Sequence, residues 1–165
     1  MAGLTYGLQN VKKALCDWIQ SEIKEEGLLG DVETFLYTFN TDDYLDSPII
    51  WLYEESTKPT QDKSGAISQK MYLTSTFMIV CIDYDDDIPT AEEKSKNLAS
   101  RTVNTILKHK KRNIEDKLVI TGIHLKEFQP VGEATIINQN DKVPATAIIM
   151  DIDYIIDWFK CCKNT

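Results

Sequence analysis

The sequence predicts an α+β fold: a mainly antiparallel sheet of about five strands with two helices, in the order α-β-β-β-α-β-β. Three observations carry this. Apolar residues recur at spacings of three and four in two separate stretches, which is helical periodicity. The runs around them are rich in Val, Ile, Thr, Phe and Tyr, which suit a pleated sheet. The last long run alternates apolar and polar residues strictly, so one face is core and the other is partly solvated.

The elements follow in order. Over residues 8–26, Val11, Leu15, Trp18, Ile19 and Ile23 form one apolar stripe, opposite Lys12, Lys13, Asp17, Glu22, Lys24 and Glu25. The mixed sign of that polar face favours packing on a sheet over lying on a membrane. Gly27 marks the end of the helix, and Gly30 follows it. VETFLYTFNT reads as a strand with Phe35, Tyr37 and Phe39 on one face. DDYLDSP, with Asp42, Asp43 and Asp46, reads as a turn, and residues 49–54 as the second strand.

ESTKPTQDKSGAISQ is polar and aperiodic, which predicts a long loop over about 54–70, or the tip of an extended hairpin. Residues 71–84 form the longest strand candidate, apolar on both faces at its centre, and predict a central strand covered on both sides. Pro89 then stops extended pairing, and Thr90 with Glu93 matches the capping box Thr-x-x-Glu. A helix follows over residues 91–108, with Leu98, Ala99, Thr102, Val103, Ile106 and Leu107 as its buried stripe. KLVITGIHLKEF is a strand, residues 129–144 a second long loop, and ATAIIMDIDYIIDWF the closing strand. In that strand Ile148, Met150, Ile152, Tyr154, Ile156 and Trp158 face one way, and Ala147, Ile149, Asp151, Asp153, Ile155 and Asp157 the other. KCCKNT is a short flexible tail.

Composition sets the bounds. The 165 residues are 42% hydrophobic and 27% charged, the range of one soluble domain spanning residues 1–165. The net charge of −8 gives no support for wrapping nucleic acid, which needs Lys and Arg against phosphate. It suits a surface that DNA slides past without sticking. MAGLTYGLQN lacks a basic start followed by an apolar run, and no apolar run approaches the roughly 18 residues of a membrane span. A chain kept in the cytosol is therefore expected.

Candidate chemistry is sparse. Asp83, Asp85, Asp86 and Asp87 end one strand, and Asp151, Asp153 and Asp157 lie on another. If those strands were neighbours, Asp83 with Asp151 or Asp153 would offer the carboxylate oxygens that hard divalent cations take, as in a nuclease-like enzyme. Local structure accounts for the same residues, because acids before a helix N-terminus offset its dipole. His109 sits in the basic run KHKKR at a helix end, and His124 on a strand; neither has a nucleophile at a triad spacing. That basic run reads as a solvated helix end or a small phosphate patch. Cys16 and Cys81 lie in apolar segments and read as buried thiols. Cys161 and Cys162 are adjacent near the C-terminus, where a redox or metal role is an alternative, but no CxxC or Cys/His spacing supports zinc. There is no GxGxxG and no P-loop. Trp51, Tyr53, Glu54, Glu55, Lys58 and Pro59 combine aromatic anchors with a polar rim, which suits a subunit interface or an ordinary hairpin.

With the elements in order, the chain resembles the tail terminator (tail completion) proteins of long-tailed bacteriophages. The resemblance rests on the opening helix LQNVKKALCDWIQSEIKEE, on the strand-turn-helix TSTFMIVCIDYDDDIPTAEEKSKNLASRTVNTILK, and on the closing strand ATAIIMDIDYIIDW. Leu98, Ala99 and Val103 occupy the Leu-Ala-x-x-x-Val stripe of that family's helix. The resemblance implies a non-enzymatic assembly protein without a cofactor. Such a protein forms a ring, commonly a hexamer of itself, on the tail tube protein. It stops tube growth and meets the head connector or neck protein, and DNA passes through without specific binding. It implies host cytoplasm during assembly and then the virion tail. The long second loop and the Cys161-Cys162 tail depart from a minimal member. The alternatives are the divalent-metal enzyme and a general α+β adaptor.

Overall fold

The two helical stripes become two helices, and the alternating runs become one sheet. The computed structural model describes residues 2–37, 45–60, 70–109, 113–115, 118–135 and 142–157. The elements are α1 (Ala2–Glu22), β1 (Thr34–Leu36), β2 (Ile49–Pro59), β3 (Lys70–Ile82), α2 (Ile88–Lys108), β4 (Asn113–Glu115), β5 (Leu118–Thr135) and β6 (Lys142–Asp157). The expected α+β order holds, with β4 as a sixth short strand. The sheet order is β1-β2-β3-β6-β5-β4, with β1 and β2 parallel and every other pair antiparallel.

The register explains the core. Phe77, Ile79 and Cys81 of β3 stand beside Glu54, Leu52 and Ile50 of β2 and beside Met150, Ile148 and Thr146 of β6. This face takes Leu15 and Ile19 of α1 and Leu98, Val103 and Ile106 of α2 into one buried cluster. The predicted alternation of β6 is met from Ile148 on: Ile148, Met150, Ile152, Tyr154 and Ile156 are buried, whereas Ile149, Asp151, Asp153 and Ile155 are half-buried; Ala147, expected on the half-solvated face, is buried. Trp158 lies outside the described residues. Hydroxyls inside this core are partnered, as burial requires: the Ser75 and Tyr154 hydroxyls meet at 2.9 Å, and Thr102 donates to the Leu98 carbonyl at 2.8 Å.

Several expectations are corrected. The strand expected over residues 32–41 is only Thr34–Leu36, and residues 38–44 lie outside the described residues. The first helix stops at Glu22, not Glu26. The chain there turns back on its own end: the Glu22 carbonyl accepts from Leu29 N–H at 3.1 Å, and the Glu22 carboxylate from Leu28 N–H at 3.0 Å. A Cβ at Gly27 would overlap the Glu22 carbonyl, so only glycine fits this return.

The central strand β3 is not covered alike on both sides. Both helices lie on one face, and Thr76, Met78 and Val80 on the other are half-buried. There a second small cluster of Ile49, Ile82, Val143 and Ala145 covers only one end. Leu107, expected in the buried stripe of α2, is 48% exposed, and Ala91, Ser95 and Thr105 are buried instead.

Of the two predicted long loops, the first takes its alternative form, an extended hairpin: β2 and β3 pair from Ile49↔Ile82 to Pro59↔Leu73, and residues 61–69 lie outside the described set. Hydroxyls hold its polar strands together: Thr57 meets Ser75 at 2.6 Å and Thr60 meets Thr74 at 3.1 Å. The second is not a loop over its full length. In the second, β5 runs on to Thr135 and β6 begins at Lys142, paired through Val131↔Ala145 and Ala134↔Val143. A few small apolar residues on one side suffice to bury that hairpin's base.

Candidate interaction surface

The junction after β3 was the first candidate for chemistry. β3 stops at Ile82, and Asp87 caps α2: its carboxylate accepts from Thr90 N–H at 3.1 Å, with Pro89 in the first turn. Thr90 is therefore not the cap; its hydroxyl also donates to Asp87, so the expected Thr90–Glu93 box is displaced by three residues. Asp85 accepts from Asp87 N–H at 3.1 Å and from Lys94 at 2.8 Å, and the Lys94 contact holds its carboxyl below the usual range. Asp83 is pushed the other way, chiefly by burial.

The register separates the acids that a metal site would need together. β3 and β6 are neighbours, but Asp151 stands beside Thr76 and Asp153 beside Thr74. Asp83 lies seven residues beyond Thr76, a separation of roughly 20 Å or more at strand rise. Among the described residues no group of three or more His, Cys, Asp or Glu is placed to hold a metal ion.

Asp151 and Asp153 instead belong to two polar rungs on the face away from the helices. Thr76 donates to Asp151 at 2.7 Å, and Lys126 approaches its other oxygen at 3.6 Å. Thr74 donates to Asp153 at 2.6 Å, and His124 Nε2 lies 3.0 Å from its other oxygen. His124 reaches Asp153 because Gly122 lies beneath it; a Cβ there would stand 2.7 Å from Nε2. Each rung runs from β5 across β6 to β3. The patterns HLK, DID and TST encode them, but the pairing of strands was needed to read them together.

The six expected interface residues are distributed around β2. Trp51 and Tyr53 are half-buried on the open face, with ring centroids 5.3 Å apart, and the Tyr53 hydroxyl donates to the Met78 sulfur. Lys58 stands beside Thr74 on that same face. Glu54 and Pro59 stand beside Phe77 and Leu73 and so lie on the helix side. Glu55 occupies the bulge between Glu54 and Ser56 and is exposed. These residues form the rim of one sheet edge and not a single patch.

Sequence reasoning missed the opposite side. Leu125 and Phe128 of β5 point to the helix face, beside Met150 and Ile148, yet are 41% and 44% exposed because α2 does not reach them. With Pro130, Thr146, Lys96 and Ser100, Phe128 lines a groove of about 300 Å³ between α2 and β5. Apolar residues with a proline inside an otherwise regular strand were the available signal, since proline in a sheet marks an edge.

The remaining candidates are structural. Arg101 grips Asp31 through two contacts and donates to the Leu28 carbonyl at 3.1 Å, tying the return after α1 to α2. That contact holds the Asp31 carboxyl below its ordinary range. Lys108 reaches Glu22 at 2.6 Å, and His109 caps α2 while stacking on Trp18 at 5.2 Å. Residues 110–112 of the basic run lie outside the described residues. Cys16 and Cys81 are buried free thiols, pushed by burial up to about 11 and about 12. Cys161 and Cys162 lie outside the described residues. No described helix is long and apolar enough to cross a membrane. No protein-family model matches the sequence, and no curated protein matches it.

Proposed function

We propose that this chain is a non-enzymatic virion assembly protein of the tail-terminator type. It would cap the tail tube as a ring of its own copies, a hexamer in that family, and join it to the head connector. The observation that carries the reading is the element order, in which an opening helix, a hairpin, a strand-turn-helix and a closing hairpin build one sheet with both helices on one face. The resemblance implies a compact body of a long strand, a helix with the Leu-Ala-x-x-x-Val stripe and two further strands, and β3, α2, β5 and β6 come in that order. The net charge of −8 supports a passage that DNA crosses without binding. The divalent-metal reading loses its geometric basis, because Asp83 and the Asp151–Asp153 pair are held at different places along β3.

The test is assembly. Added to purified, growing tail tubes, the chain is expected to bind tube ends as a ring visible by negative-stain microscopy and to halt elongation. Tubes that grow unchanged, with no density at their ends, would remove the reading.

A further inference from the structure

Three exposed apolar side chains border one groove. Leu125 and Phe128 lie on the helix side of β5, and Leu107 on α2. The two borders of α2 differ. On one, Arg101 turns to Asp31 and Lys108 to Glu22. On the other, helical spacing sets Lys96, Ser100 and Leu107 in one line, roughly 16 Å from end to end. Lys96 and Ser100 line the groove with Phe128 and Pro130. α2 itself rests on β3 and β6, where Thr102 meets Cys81 at 3.8 Å and Ser95 meets Thr146 at 3.1 Å. β5 is the next strand, ~4.8 Å further on. From Leu125 to Pro130 its helix side stays in water.

The shape and the charge of the groove narrow its occupant. A helix, about 10 Å across, fits beside α2 and over β5. Its apolar stripe would cover Leu107, Leu125 and Phe128, and apolar side chains exposed together mark protein contacts. Lys96 is the one charged side chain among the described groove residues and makes no ion pair with them. It calls for a carboxylate on the incoming surface. We infer that the α2–β5 groove receives an amphipathic helix of a different protein, with an apolar stripe towards β5 and a carboxylate facing Lys96.

The 165 residues themselves do not supply that helix. Both described helices already bury their apolar stripes in the core, Leu15 and Ile19 of α1 and Leu98 and Ile106 of α2 among them. The longest stretch outside the described residues, 61–69, is nine residues, whereas spanning 16 Å takes roughly eleven in a helix. A second copy has no free helix for the same reasons. An extended segment is disfavoured too, because β5 bulges at three places and so interrupts a backbone ladder. The contact is additional to the ring of the proposed function, whose copies it does not join.

The test uses the full chain and a synthetic, side-chain-cross-linked helical peptide of about 14 residues. The peptide carries Leu on one stripe and a single Glu beside it, and a twin carries Lys in place of that Glu. Binding is read by fluorescence anisotropy at low salt. The Glu peptide is expected to bind about tenfold more tightly than its twin, and Lys96→Glu to reverse that order. Leu107→Ser and Leu125→Ser are each expected to weaken the Glu peptide about tenfold. All three positions are exposed, and circular dichroism checks that each variant folds. No binding, or binding indifferent to Lys96→Glu, would overturn the inference. Equal binding of a peptide interrupted by proline would point to an extended occupant and overturn it as well. So would self-association in sedimentation velocity that Leu107→Ser abolishes, since the occupant would then be a second copy. The ring at tube ends is read separately and stands or falls without the groove.

Discussion

Asp31 and Asp83 lie on opposite limbs of the pH profile. Arg101 lowers the Asp31 carboxyl, so its contribution to stability is present above the unfolded carboxylate value near ~3.9 and is lost as pH falls through the lower folded value. Burial raises Asp83, so its cost is absent at low pH and appears as pH rises through its raised folded value. Arg101→Ala is expected to cost about 1 kcal/mol at pH 7 in urea melts and to flatten the acid limb, since the pair is half-exposed. Asp83→Asn is expected to raise stability by a few tenths of a kcal/mol at pH 7, with no gain at about pH 3. A loss on Asp83→Asn would mean that its ionised form is held by a partner. The two buried cysteines provide a separate check. Thiols raised to about 11 and about 12 are almost wholly protonated at neutral pH. Iodoacetamide at about pH 7.5 should leave Cys16 and Cys81 unmodified in the native chain and alkylate both in urea, read by peptide mass mapping. Native labelling of Cys81 would contradict its full burial.

At the scale of elements, the start of α2 distinguishes two accounts of one sequence. Thr90 with Glu93 fits the capping box, but Asp87 takes the Thr90 N–H, and its negative charge also meets the helix dipole. Asp87→Ala should therefore cost about 1 kcal/mol in thermal or urea unfolding, and Glu93→Ala close to nothing. The reverse order would restore the helix start at residue 91. Pattern matching erred here because both caps are chemically sound, and Pro89 fits the first turn as readily as it ends a strand. Polarity leaves the first hairpin open between loop and hairpin, because Thr57, Thr60, Ser75 and Thr74 pair across strands that need no apolar side chain. Residues 129–144 read as loop for the same reason, whereas β5 runs to Thr135 and β6 begins at Lys142.

For the molecule as a whole, the open face of the sheet is a matter of solvation. Asp151 and Asp153 cannot be buried under a helix without partners, and Thr74, Thr76, His124 and Lys126 supply those partners while leaving the face in water.

By itself the sequence determined the order of elements, the core stripe of α1, most of that of α2 and the inward face of β6, because periodicities of 3.6 and 2 are local and burial follows them. The buried state of Cys16 and Cys81 was legible for the same reason. Only the tertiary structure decided which strands are neighbours, and with that the distance from Asp83 to Asp151 and the three-strand polar rungs. The β3–β6 arms of those rungs join residues 75 and 79 positions apart, which no local pattern records.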